Sequence, residues 1–208
     1  TAMELYRRSR NAPVTDWMIL INVLVFLYTA LRGGMSDNDI LLRYGASYTP
    51  YIFEKHEYWR LLTAAFLHFG IRHLGNNMLV LFVTGDSLEH ALGHVKYLVF
   101  YLLSAVGTSA CSYAVEVWMR REVLSAGASG VVFAVLGGLI WVLIRNRGRF
   151  EEFRIRNLLF FSGLMLLGGF ISEEVDNVAH TSGLLIGFLL AVVLYRRPAV
   201  TLFSTDMT

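Results

Sequence analysis

The chain has 208 residues, of which 55% are hydrophobic and only 16% charged, too apolar a balance for a water-soluble domain of this size. Its formal net charge is +2, and the arginines are scattered through connections with no aromatic-interleaved basic patch, which argues against a nucleic-acid partner. The single cysteine, Cys111, excludes an intramolecular disulfide framework. What remains is an integral membrane protein whose lipid-facing segments are helical.

An arginine-bearing leader (Arg7, Arg8, Arg10) precedes a first apolar run over 17–31. No small-residue cleavage site follows it, so the run reads as a retained span. Residues 32–60 form a long connection rich in aromatics, among them Tyr44, Tyr48, Tyr51, Phe53, Tyr58 and Trp59. Amphipathic rings suit the headgroup level, and the segment reads as a loop lying in the outer interface. The second run, 74–92, is interrupted by Asn76, Asn77, Asp86 and Glu89, so hydropathy alone could miss it. Further runs follow at 95–119, 126–144, 157–172 and 178–195, joined by mostly short connections. The simplest architecture is all-α with six transmembrane helices and no internal repeat.

Basic residues orient the spans. Arg7, Arg8, Arg10, Lys96, the cluster Arg145, Arg147, Arg149, Arg154 and Arg156, and Arg196 and Arg197 fall on one side, while the connection Glu173-Glu174-Val175-Asp176 on the other is acidic. Both termini are therefore expected in the cytoplasm. The expected divisions are a leader over 1–16, a membrane domain over 17–197 and a cytoplasmic tail over 198–208.

This topology makes the second, fourth and sixth spans parallel, and their N-terminal ends share one depth. At those ends stand His68, His73 and Asn77, then Ser129 within Gly127-Ala128-Ser129-Gly130, then His180. Polar groups inside membrane helices are costly, so several converging at one depth mark a candidate site. A serine in the first turn of a helix sits among unpaired backbone N–H groups that can stabilise an oxyanion, although serine is also an ordinary helix cap there. Gly130, Ala134 and Gly138 on the fourth span, and Ala179, Gly183, Gly187 and Ala191 on the sixth, form stripes of small residues that let two backbones approach. Close approach would bring a hydroxyl nucleophile and an imidazole base together.

The fragments His68-Phe69-Gly70-Ile71-Arg72-His73-Leu74-Gly75-Asn76-Asn77, Gly127-Ala128-Ser129-Gly130 and Ala179-His180-Thr181-Ser182-Gly183 resemble, in this order, the motifs of rhomboid intramembrane serine proteases. Trp59-Arg60, and Gly85, Glu89 and Gly93, add to the likeness, which runs over about 17–197. The resemblance implies the basic six-helix bacterial form, in the inner membrane, acting on transmembrane protein substrates within the lipid bilayer without metal or cofactor. It implies Ser129 as nucleophile and His180 as general base, a dyad without an acidic member. It further implies that His73, Asn77 and the Ser129 N–H hold the oxyanion, with His68, Gly127, Gly130, Phe133 and Gly183 in support. Movement of the fifth helix and the connection above it would admit substrate beside the second. Phe133 departs from the tyrosine common in the family, keeping the ring and losing the hydroxyl.

The competing readings fit the residues less well. His68 and His73 lack a His-Glu-x-x-His spacing for metal. A soluble hydrolase elbow needs glycine where Val131 stands. A transporter does not require the Gly-x-Ser-Gly turn. The alternative within the same fold is an inactive, client-binding scaffold, whose expected mark is loss of the serine or the histidine.

Overall fold

The computed structural model describes residues 11–33, 37–171 and 176–196. The leader arginines, Glu173, Glu174, Arg197 and the tail lie outside the described residues. Six long helices dominate: α1 (Pro13–Leu31), α2 (Gly70–Leu92), α3 (His94–Trp118), α4 (Ser129–Arg145), α5 (Ile155–Ile171) and α6 (Asn177–Leu194). By length and composition α1, α3 and α6 can each cross a membrane, whereas α4 and α5 are shorter apolar helices of 17 residues. Several polar residues of α2 turn inward, with Asn77, Thr84, Ser87 and Glu89 all buried, which is why its sequence looks only half apolar.

The exterior is inverted relative to a soluble protein. Trp17, Leu24 and Leu27 on α1, Leu103 on α3, Leu164 and Phe170 on α5, and Val193 on α6 all face outward. With the inward-facing polar residues, this makes the chain a polytopic helical membrane fold. The core is α4, buried without a break from Gly130 to Leu139. It packs most closely against α6, and then against α2 and α3.

Helix pairing follows the small residues, with one change from the spacing-based expectation. A Cβ on Gly183 would strike the Gly130 carbonyl oxygen, and one on Gly187 the Ala134 carbonyl oxygen. The contacts advance together along both helices, so α4 and α6 run parallel. The third small residue on the α4 side is Gly137, which lies against the Leu184 carbonyl, and not Gly138, which faces Leu88 and Phe100 instead. A helix turns once per 3.6 residues, so a strict four-residue count drifts off the face after two turns.

Buried charges tie the other elements together. Glu89 on α2 is fully buried and accepts the Val14 N–H at 3.0 Å and the Thr15 N–H at 2.8 Å, satisfying unpaired donors in the first turn of α1. The connection over 32–60 is more structured than a loop, with short helices Asn38–Arg43 and Thr49–Lys55 and a further one, Arg60–Thr63, leading out of it. Arg60, 4% exposed, donates to the Leu42 and Ala46 carbonyls at 2.6 and 3.0 Å and to Glu57 at 2.6 Å. These three bonds fix the segment.

Candidate active site

Three elements bring the candidate residues to one end of the bundle. His68, His73 and Asn77 come from the approach to α2 and its first turns, Gly127 and Ser129 from the start of α4, and His180 from the first turn of α6. Gly127 has φ of +145° and donates its N–H to the Ala64 carbonyl at 2.9 Å. A side chain is excluded there twice over, by the backbone and by space. A Cβ would stand 2.7 Å from His73 Cε1 and 3.7 Å from Ser129 Oγ. The missing side chain lets the His73 ring and the Ser129 hydroxyl share the same flank of the loop.

Ser129 is the first residue of α4 and does not cap it. Ala128 holds the cap position, and it has no side chain that could cap the helix. The ordinary capping role therefore does not account for the hydroxyl, which stands half-buried among the unpaired N–H groups of the first turn. His68 braces the turn from behind: its Nε2 accepts the Ala128 N–H at 3.3 Å. An accepting Nε2 carries no proton, so this ring is neutral with its hydrogen on Nδ1. The His68 ring meets His73 edge-on at 5.1 Å.

His180 is buried, and its ring stacks on Phe133 with centroids 4.3 Å apart. Phe133 lies one turn along α4 from Ser129, so an aromatic face holds the imidazole against the serine's own helix. Among the described residues His180 Nδ1 has no hydrogen-bond partner. Nor does a hydrogen bond join Ser129 Oγ to His180 in this resting geometry; such bonds are commonly long before substrate binds. Asn77, one turn beyond His73, is 7% exposed, and its Nδ2 is a buried donor without an acceptor among the described residues. Unpaired buried donors cost free energy, so this one is suited to an acceptor supplied from outside the protein. Gly130 and Gly183 meet beneath the site, where the two backbones leave no room for a side chain. Among the described residues no three His, Cys, Asp or Glu side chains are arranged to hold a metal ion.

One network escaped the sequence reading. Asp176 caps α6, accepting the Ala179 N–H at 2.8 Å through one oxygen and the Ser112 hydroxyl of α3 through the other. Buried Glu116, one turn along α3, accepts the Thr49 hydroxyl at 2.8 Å and lies 3.2 Å from the Ser112 oxygen. The helix carrying His180 is thus anchored at its first turn to α3 and to the interfacial segment. The network's sequence signals were an aspartate just ahead of α6 and the four-residue spacing of Ser112 and Glu116.

The family model for the Rhomboid domain matches residues 55–197. Rhomboid protease GluP of Bacillus subtilis (strain 168) is 34% identical over 180 residues, 86% of this chain and 34% of that protein. RHOMBOID-like protein 1 of Arabidopsis thaliana is 35% identical over 168 residues, 79% of this chain and 41% of that one. YdcA of Bacillus subtilis (strain 168), also named for the rhomboid proteases, is 34% identical over 185 residues, 88% of either chain. The chain spans about a third of GluP and two-fifths of RHOMBOID-like protein 1. Given a family model that matches more than half of the sequence and a relative aligned over nearly all of it, the chain belongs to the rhomboid family of polytopic membrane proteins.

Proposed function

We propose that the protein is an intramembrane serine endopeptidase that cleaves substrates in or near a transmembrane segment, using Ser129 and His180 as a dyad without metal or cofactor. The observation that carries this reading is a set of groups with no other employment at one end of the α4 and α6 pair. They are a serine hydroxyl free of capping duty, an imidazole stacked on Phe133 with no acid on Nδ1, and an unpartnered Asn77 donor. In the proposed reaction Ser129 Oγ attacks the scissile carbonyl carbon while His180 takes the hydroxyl proton. The oxyanion is held by the Ser129 N–H, Asn77 Nδ2 and His73. Collapse breaks the C–N bond as His180 returns the proton to the leaving amine, and water then hydrolyses the acyl-enzyme by the same route.

Six spans, with both termini cytoplasmic in a bacterial inner membrane, complete the proposal. At 1.5 Å per residue α4 is about 26 Å long, shorter than a hydrocarbon layer of about 30 Å, which leaves room for its Ser129 end to lie below the headgroups. The test is cleavage of a transmembrane substrate in reconstituted vesicles. Ser129→Ala and His180→Ala should each abolish it in a folded protein, and the double variant should be no worse, because the two act as one unit. Appreciable turnover by Ser129→Ala would overturn the mechanism. Binding of the substrate without cleavage by the unaltered chain would favour the scaffold reading.

A further inference from the structure

The connection between α4 and α5 concentrates positive charge. Arg145, Arg147, Arg149, Arg154 and Arg156 fall within 12 residues, with Glu151 and Glu152 the only acids among them. The segment closes as a hairpin in which Arg149 pairs with Arg154 and Phe150 with Phe153. Residues directly opposed on antiparallel strands project from one face, and their sequence neighbours project from the other. Phe150 and Phe153 pack against the core. Arg149 and Arg154 therefore stand side by side on the outer face, and both are exposed.

Like charges opposed across a ladder repel, and of the two acids at the tip Glu151 is engaged elsewhere. Glu151, at the hairpin tip, accepts the Ser87 hydroxyl and contacts His90 Nδ1 at 3.0 Å, both near the end of α2. Among the described residues neither Arg149 nor Arg154 has an ion-pair partner. Arg156 adds a third cation in the first turn of α5, the end at which the helix dipole disfavours positive charge. Apolar residues border the hairpin on both helices, with Ile144 47%, Leu159 50% and Phe160 73% exposed. A ligand that offers an anion to the arginines and hydrocarbon to these side chains is a phospholipid.

We propose that the α4–α5 hairpin binds the phosphate of an anionic phospholipid of the phosphatidylglycerol class, with Arg149 and Arg154 as a cross-strand clamp. The site is separate from the proposed protease chemistry and does not depend on it. The Glu151 contacts hold the hairpin to α2, so the clamp stands on a fixed base whether or not lipid is bound.

The test titrates dioleoylphosphatidylglycerol into the full chain in maltoside detergent and counts bound lipid by native mass spectrometry. Dioleoylphosphatidylcholine is the neutral-headgroup arm and inorganic phosphate the free-anion arm. Each basic residue near an anionic headgroup contributes about fivefold in affinity, so Arg149→Gln with Arg154→Gln should bind phosphatidylglycerol about 25-fold more weakly, and Arg154→Gln alone about fivefold. Phosphatidylcholine binding should be unchanged in every variant. Arg120→Gln with Arg121→Gln, which removes two exposed arginines elsewhere, should leave phosphatidylglycerol binding intact. Equal retention by the native chain and the hairpin double variant overturns the proposal. An equal loss in the Arg120 and Arg121 variant does so too, since it reports bulk charge. Displacement of the lipid by millimolar phosphate would instead identify a free-anion site.

Discussion

Glycines in this bundle serve two different ends, and alanine substitution separates them. Gly187 gives up its Cβ so that α6 can rest on the Ala134 carbonyl. Gly187→Ala should therefore overpack the pair and cost about 1–3 kcal/mol, seen as a lowered thermal unfolding midpoint. Gly163 on α5 has nothing within 4 Å of a built Cβ. Gly163→Ala should hold or raise the midpoint, because helix propensity improves by up to about 1 kcal/mol. Asn77→Ala probes the proposed oxyanion site: Ser129 should still be labelled by a fluorophosphonate, while turnover falls by about 10² to 10³. An unchanged rate would remove Asn77 from the chemistry. The residues of the candidate site were legible because hydroxyl, amide and imidazole groups stand out in apolar helices. Gly137 was not, since the choice between it and Gly138 depends on the rotation of α4 against its neighbours.

At the scale of elements, capping shows what a linear reading misses. The six helices follow from runs of apolar residues, and all six begin and end within four residues of those runs. The partners that finish the helices lie far away in sequence: Glu89 serves the start of α1, and Arg60 serves carbonyls 14 and 18 residues earlier. Such pairings depend on the folded arrangement and leave no local pattern. Asp176 is a local cap with a distant second partner in Ser112. Asp176→Ala should cost about 0.5–2 kcal/mol in equilibrium unfolding, and Asp176→Ser should restore most of it because a serine oxygen can accept the same N–H. If serine is as damaging as alanine, the contact with Ser112 matters more than the cap.

Over the whole molecule the packing is uneven. The α4 and α6 pair forms a dense centre, whereas α5 touches α4 and α6 thinly, and both Gly163 and Gly168 face open space. Thinly packed elements open at low free energy, so backbone amides of α5 should exchange hydrogen faster than those of α4. Equal protection would argue against α5 as the side that admits substrate. A disulfide between cysteines at Leu79 and Leu166, in a Cys111→Ala background, gives the functional version of the same test. Where the crosslink forms, cleavage of a transmembrane substrate should fall and recover on reduction; undiminished cleavage would exclude this route. Everything rests on Ser129 as a nucleophile activated by His180, and the most direct measurement is the mapping of a fluorophosphonate adduct on the purified, folded chain. The account predicts one phosphonylated site, at Ser129, that disappears in His180→Ala. A folded chain with no adduct, or with the adduct on another residue, would contradict it.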